Sequence, residues 1–183
     1  MKPNILELPA RLTEEAAYPI AEARNERVRR GIEYWDCLRG ARPMPAREEI
    51  TLRGMVRFVS DCLIVQVING GADYTFGFMG DGMVRAFNVS LTGKRLSDID
   101  AVLPVFGGQL RALYERALGG EAFLTRGHFQ SQQRSLSHSH ETAILPLGRG
   151  GVVEHFLIVG VQIPFRFWEA GGDEKIRALA RAG

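Results

Sequence analysis

Ser137, His138, Ser139, His140 and Glu141 run consecutively and hold the side chains of this chain best suited to chemistry. Two imidazoles two residues apart share one face of an extended strand. With His128 or His155 on a neighbouring strand, and Glu141, they have the donor types of a zinc or iron centre. The same alternation sends Glu141 to the opposite face, so a regular strand splits the set. The reading adopted assigns no metal, names His138 and His140 as the candidates if one binds, and takes both as solvated or locally hydrogen-bonded histidines. No Gly-x-Ser-x-Gly elbow or oxyanion turn accompanies the serines, so nothing marks a nucleophile.

Three other groups have types that bind or catalyse. Gly80 and Gly82 follow an aromatic strand, as in a nucleotide-binding loop, but Arg85 stands where a dinucleotide fingerprint needs its third glycine. Arg39, Arg42 and Arg47 could grip a phosphate through guanidinium forks. Their bland role, and the one preferred, is to pin a loop to carboxylates and carbonyls of the same protein. Asp98 and Asp100 stand before a helix, where a small hot-dog-like enzyme would keep its acid or base, and where capping is the commoner use.

The elements that must position these groups follow from hydrophobic spacing. The 183 residues, 45% hydrophobic, suffice for one buried core and not for two ordinary domains. With 23 Lys and Arg against 21 Asp and Glu, charge gives no argument for a nucleic-acid or acidic-membrane partner. Cys37 and Cys62 lack metal-ligand spacing, and no secretory signal or bilayer-spanning apolar run is present. A cytoplasmic location is the expectation.

Residues 1–19 read as an irregular arm, and residues 20–49 as an amphipathic helix followed by a Pro-rich connector; Val28, Ile32, Trp35 and Leu38 recur at helical spacing. Residues 50–165 form the domain and 166–183 a frayed helical tail. Within the domain, a short helix over residues 50–59 precedes a hairpin turning at Asn69–Gly71. Tyr74, Phe76 and Phe78 are expected on one face of its second strand. Short helices follow, then a longer one through Leu103, Phe106, Leu110, Tyr114 and Ala117, and three strands over residues 122–130, 140–147 and 152–163. This order predicts an α+β fold: an antiparallel five-stranded sheet with helices on one face, plus the N-terminal amphipathic helix.

That order, with "GDGMVRAFNVSLTGKRLSDI", resembles a PAS domain. Upstream, "YWDCLRGARPMPAREEI" is similar to the segment that introduces the domain in small, single-domain PAS-like proteins of alphaproteobacteria; Trp35, Leu38, Arg39, Gly40, Arg42, Pro43, Pro45 and Arg47 carry the likeness. The resemblance implies a sensory module that binds a small-molecule ligand or a protein partner and signals through assembly, without catalysis. Tyr74, Phe76, Phe78, Met83, Phe87, Phe106, Leu110, Tyr114 and Phe129 would line its cavity or fill its core. A homodimer would use the Val28, Ile32, Trp35 stripe. The cofactor is left unknown: "AFNVSLTGK" lacks the cysteine of a flavin-thiol photosensor, and no histidine lies between Pro104 and Leu118 to bind haem. Nucleotide capture by the three arginines and a hot-dog-like enzyme are the alternatives.

Overall fold

In the computed structural model, residues 12–130 and 137–165 are described. Six strands, β1 (Leu12–Pro19), β2 (Cys62–Ile68), β3 (Asp73–Met79), β4 (Phe123–Gln130), β5 (Ser137–Arg149) and β6 (Val152–Phe165), form one antiparallel sheet in the order β1-β4-β5-β6-β2-β3. Five of these are the strands expected. The sixth corrects the reading of residues 1–19 as an irregular arm, because Leu12–Pro19 pairs with β4 and forms the edge of the sheet. Residues 1–11 and the tail expected as a frayed helix lie outside the described residues.

Two turns set the central strands. At the β2–β3 connection Asn69, Gly70 and Gly71 all have positive φ, the conformation that Asn and Gly adopt at least cost. The β5–β6 hairpin turns at Gly150–Gly151, again both with positive φ. These long central strands carry fully buried Leu145, Leu147, Phe156, Leu157 and Val159.

Helices cover both faces of the sheet. On one lie α3 (Asp81–Phe87), α4 (Leu96–Asp100) and α5 (Pro104–Ala117), the last starting with Pro104 in its first turn. Beneath them, Tyr74, Tyr114 and Phe156 pack as a triad with ring centroids 5.0, 5.5 and 6.1 Å apart. On the opposite face lies α1 (Glu26–Arg39), against β5 and β6. It begins later than the apolar spacing suggests because Asn25 caps it, its side chain accepting from Arg27 N at 2.9 Å. The short helix expected over residues 50–59 reduces to α2 (Leu52–Met55) between single 3-10 turns.

One face assignment changes. Ile64 pairs with Phe78 and Val65 with Phe76, leaving Gly77 as an extra residue on β3. This bulge turns Phe78 to the α1 side, while Tyr74 and Phe76 stay on the α5 side.

Candidate functional site

A dense set of specific interactions forms the seat of α1. Its sequence origin is the period-two row Glu141, Ala143, Leu145, Leu147 on β5, which puts one carboxylate in line with three apolar side chains facing α1. Glu141 is 9% exposed. It accepts from Arg24 N at 2.9 and 3.1 Å, from Asn25 N at 2.7 Å and from Arg126 Nε at 2.8 Å. Burial works against its ionisation, but the hydrogen bonds from Asn25, Arg126 and Arg24 outweigh it and hold the carboxyl below the usual glutamate range. Arg126 reaches on to the Glu22 carbonyl and stacks 4.6 Å over Tyr18. One carboxylate and one guanidinium thus bind β1, the connector and the start of α1 to the sheet.

A second buried carboxylate holds the first turn of α1: Arg27 donates to both oxygens of Asp61, at 3.1 and 2.9 Å. Here burial dominates and pushes the Asp61 carboxyl upward in spite of Arg27. Farther along, a Cβ on Gly31 would stand 2.7 Å from Val159 Cγ2, so only glycine lets the helix lie this close. Trp35 Nε1 donates to Pro146 O at 2.7 Å. Val28 and Trp35 are buried and Ile32 half-buried. The stripe expected to carry a dimer faces its own sheet in this structure, and the spacing that marks an apolar stripe does not say what covers it. Where α1 starts, Arg24, Asn25, Ser139, His140, Glu141, Val161 and Ile163 line a cleft of about 280 Å³.

The histidines separate. His138 and His140 face the α3 side of β5, whereas His128 pairs opposite Ser139 and His155 opposite Leu147, both on the α1 side. Glu141 also points away from them, as the alternation predicts. Among the described residues no group of three or more His, Cys, Asp or Glu is placed to hold a metal. His138 stacks on Phe129 at 4.9 Å, and Phe129 on Phe87 at 5.3 Å. His140 Nδ1 lies 3.3 Å from Thr142 Oγ1, and its buried Nε2 has no hydrogen-bond partner among the described residues. Burial, with a smaller push from His128, lowers its pKa to about 4.

Titration of His140 then has a defined sign. Between about pH 6.5, where a free histidine titrates, and about pH 4, the unfolded chain binds a proton that the folded one refuses, so stability falls as the pH drops through this window. NMR of the His140 ring should show it neutral until near pH 4, and His140→Phe should flatten that part of the stability profile.

The cavity candidates divide by burial. Tyr74, Phe76, Met83, Phe106, Tyr114 and Phe129 are at most 3% exposed. Phe78, Phe87 and Leu110 are half-buried, with Phe78 on the other face. Tyr74 Oη has no hydrogen-bond partner among the described residues although it is buried.

The arginines pin their own loop. Arg42 grips Glu49 with both nitrogens at 2.9 and 2.8 Å and donates to the Leu38 and Arg39 carbonyls. Arg39 pairs with Asp36 and lies 5.3 Å over Trp35, and Arg47 donates to Ile50 O at 3.2 Å. The hydrogen bond from Arg42 pulls the Glu49 carboxyl down to about 2. In an Arg42→Ala variant its midpoint, read from the carboxyl carbon shift, should climb toward the ordinary glutamate value. Asp98 caps α4 by accepting from Arg95 N at 2.9 Å, and Asp100 pairs with Arg111. At the β3–α3 turn, a Cβ on Gly80 would stand 2.2 Å from Val59 O, which accounts for that glycine by close packing.

Glu141, Asp61 and Arg126 hold the seat of α1, and the sequence does not single them out as a set. Glu141 had a signal in its period-two row. Asp61 stands just before the β2 run with no pattern around it. Comparison with protein-family models, curated proteins and solved structures finds no match for the chain. No helix among the described residues is long and apolar enough to cross a membrane.

Proposed function

We propose that this chain is a PAS-like regulatory module that acts by binding and catalyses nothing. What supports the reading is the order after α2: two strands, short helices, a longer helix and three strands, with aromatic side chains between α5 and the sheet. The carrying observation is the seat of α1, a separate helix laid across the opposite sheet face by Glu141 and Asp61. A small ligand between α5 and the sheet, or a protein partner, shifts the packing of α1 and thereby the assembly of the chain. A homodimer through Val28, Ile32 and Trp35 belongs to the released state, because docking consumes that stripe.

The nucleotide and hot-dog readings draw on groups already engaged, Arg42 by Glu49 and Asp100 by Arg111. Native mass spectrometry of freshly purified protein, beside the denatured sample, tests the ligand. A small mass lost on denaturation supports a ligand sensor and begins to identify its cofactor. Bare protein masses overturn the ligand arm and leave the partner arm.

A further inference from the structure

The two most exposed large apolar side chains among the described residues are Val56 at 69% and Leu52 at 64%. They stand four residues apart on α2 and the residue after it, whose backbone is still right-handed helical. Met55, on the inward side of the same turn, is 1% exposed. At 3.6 residues per turn, Leu52, Arg53 and Val56 fall within an arc of about 100°, and Arg57 follows directly in the turn after the helix. Both arginines are exposed and make no ion pair among the described residues. The carboxylates just before them are taken: Glu48 by Arg149 at 2.9 Å and Glu49 by Arg42 at 2.8 Å. A turn that needs only Met55 for the core thus presents two uncovered apolar side chains edged by two uncompensated positive charges.

We infer that this face of α2 docks an acidic, amphipathic segment of a partner protein. The charge selects carboxylates, and the exposed Leu52–Val56 pair selects apolar side chains between them. An anionic membrane fits less well. Each arginine contributes about 1 kcal/mol at such a surface, and stable anchoring takes a second apolar signal larger than one helical turn.

The patch also senses α1. Tyr34 of α1 donates to Glu49 O at 3.3 Å and accepts from Thr51 N at 3.1 Å, and its ring lies 5.7 Å from Phe58. A Cβ on Gly54 would stand 2.5 Å from that ring, so α2 rests directly on α1. Seating a partner on α2 is therefore coupled to the docking of α1. The inference deepens the regulatory reading by naming the partner's chemistry, and rests on it only for what docking signals.

The test is fluorescence polarisation with a labelled peptide of about fifteen residues, leucines at helical spacing and glutamates between them. Saturable binding is expected, weakened about tenfold by Leu52→Ser with Val56→Ser, by Arg53→Glu with Arg57→Glu, and by glutamine in place of the glutamates. Unchanged melting temperatures show that the variants fold. Failure of the peptide to bind, or binding that ignores the variants, overturns the inference. Phosphatidylglycerol vesicles that respond to the variants when the peptide does not would overturn it in favour of lipid. Ligand content by mass spectrometry is independent of these outcomes, so either reading can fail alone.

Discussion

Replacing Trp35 with alanine is expected to lower the unfolding free energy by about 4 kcal/mol, the range for deleting a large buried aromatic. The ring is 3% exposed and its indole N–H satisfies the Pro146 carbonyl. Alanine leaves a cavity between α1 and the sheet, and orphans an acceptor in the strand that also carries Glu141. For a chain of this size the midpoint of thermal unfolding should drop by about 10 °C. Trp35→Phe should recover much of the packing without the hydrogen bond, so its midpoint should fall between the two.

Glu141→Ala should cost about 3 kcal/mol, because it strands Arg126 and two backbone N–H groups in a part-buried site. The loss should be regional. Hydrogen exchange is expected to speed in β1, the connector and along α1 as far as Trp35, with β2, β3 and α5 little changed. The pH behaviour has a sign of its own. Since the folded carboxyl lies below its ordinary value, the stabilisation is complete above the ordinary glutamate range and disappears as the pH falls through the folded value. Asp61 acts in reverse: its raised value means that the folded chain binds the proton more tightly, so a fall in pH through that value favours the fold while neutralising the partner of Arg27. Glu141→Gln should remove the first dependence and leave the second.

Much of the fold could be read from spacing, because most elements announce themselves by one-sided burial. The β2–β3 hairpin at Asn69–Gly71, the long α5 and the three closing strands are of this kind. Strand β1 is not: "LTEEAAYP" has no alternation, and it is a strand because β4 offers it an edge. Phe78 defeats period-two counting because the extra residue at Gly77 flips it. At the candidate site, the separation of Glu141 from His138 and His140 follows from alternation alone, and Arg42 as a loop pin follows from nearby acidic residues. The pairing of Arg27 with Asp61, 34 residues apart, was invisible: an arginine on a helix face reads as solvated until the fold places a carboxylate beneath it.

In the proposed mechanism, docking of α1 hides a surface whose release changes assembly. Sedimentation velocity of the Glu141→Ala variant beside the wild type, over a series of protein concentrations, tests it most directly. With the clamp removed, Val28, Ile32, Trp35 and the apolar sheet face beneath them become available. The variant is expected to pass from monomer to dimer, or from dimer to a larger species, at concentrations where the wild type keeps its size. A folded variant that sediments like the wild type at every concentration would contradict it.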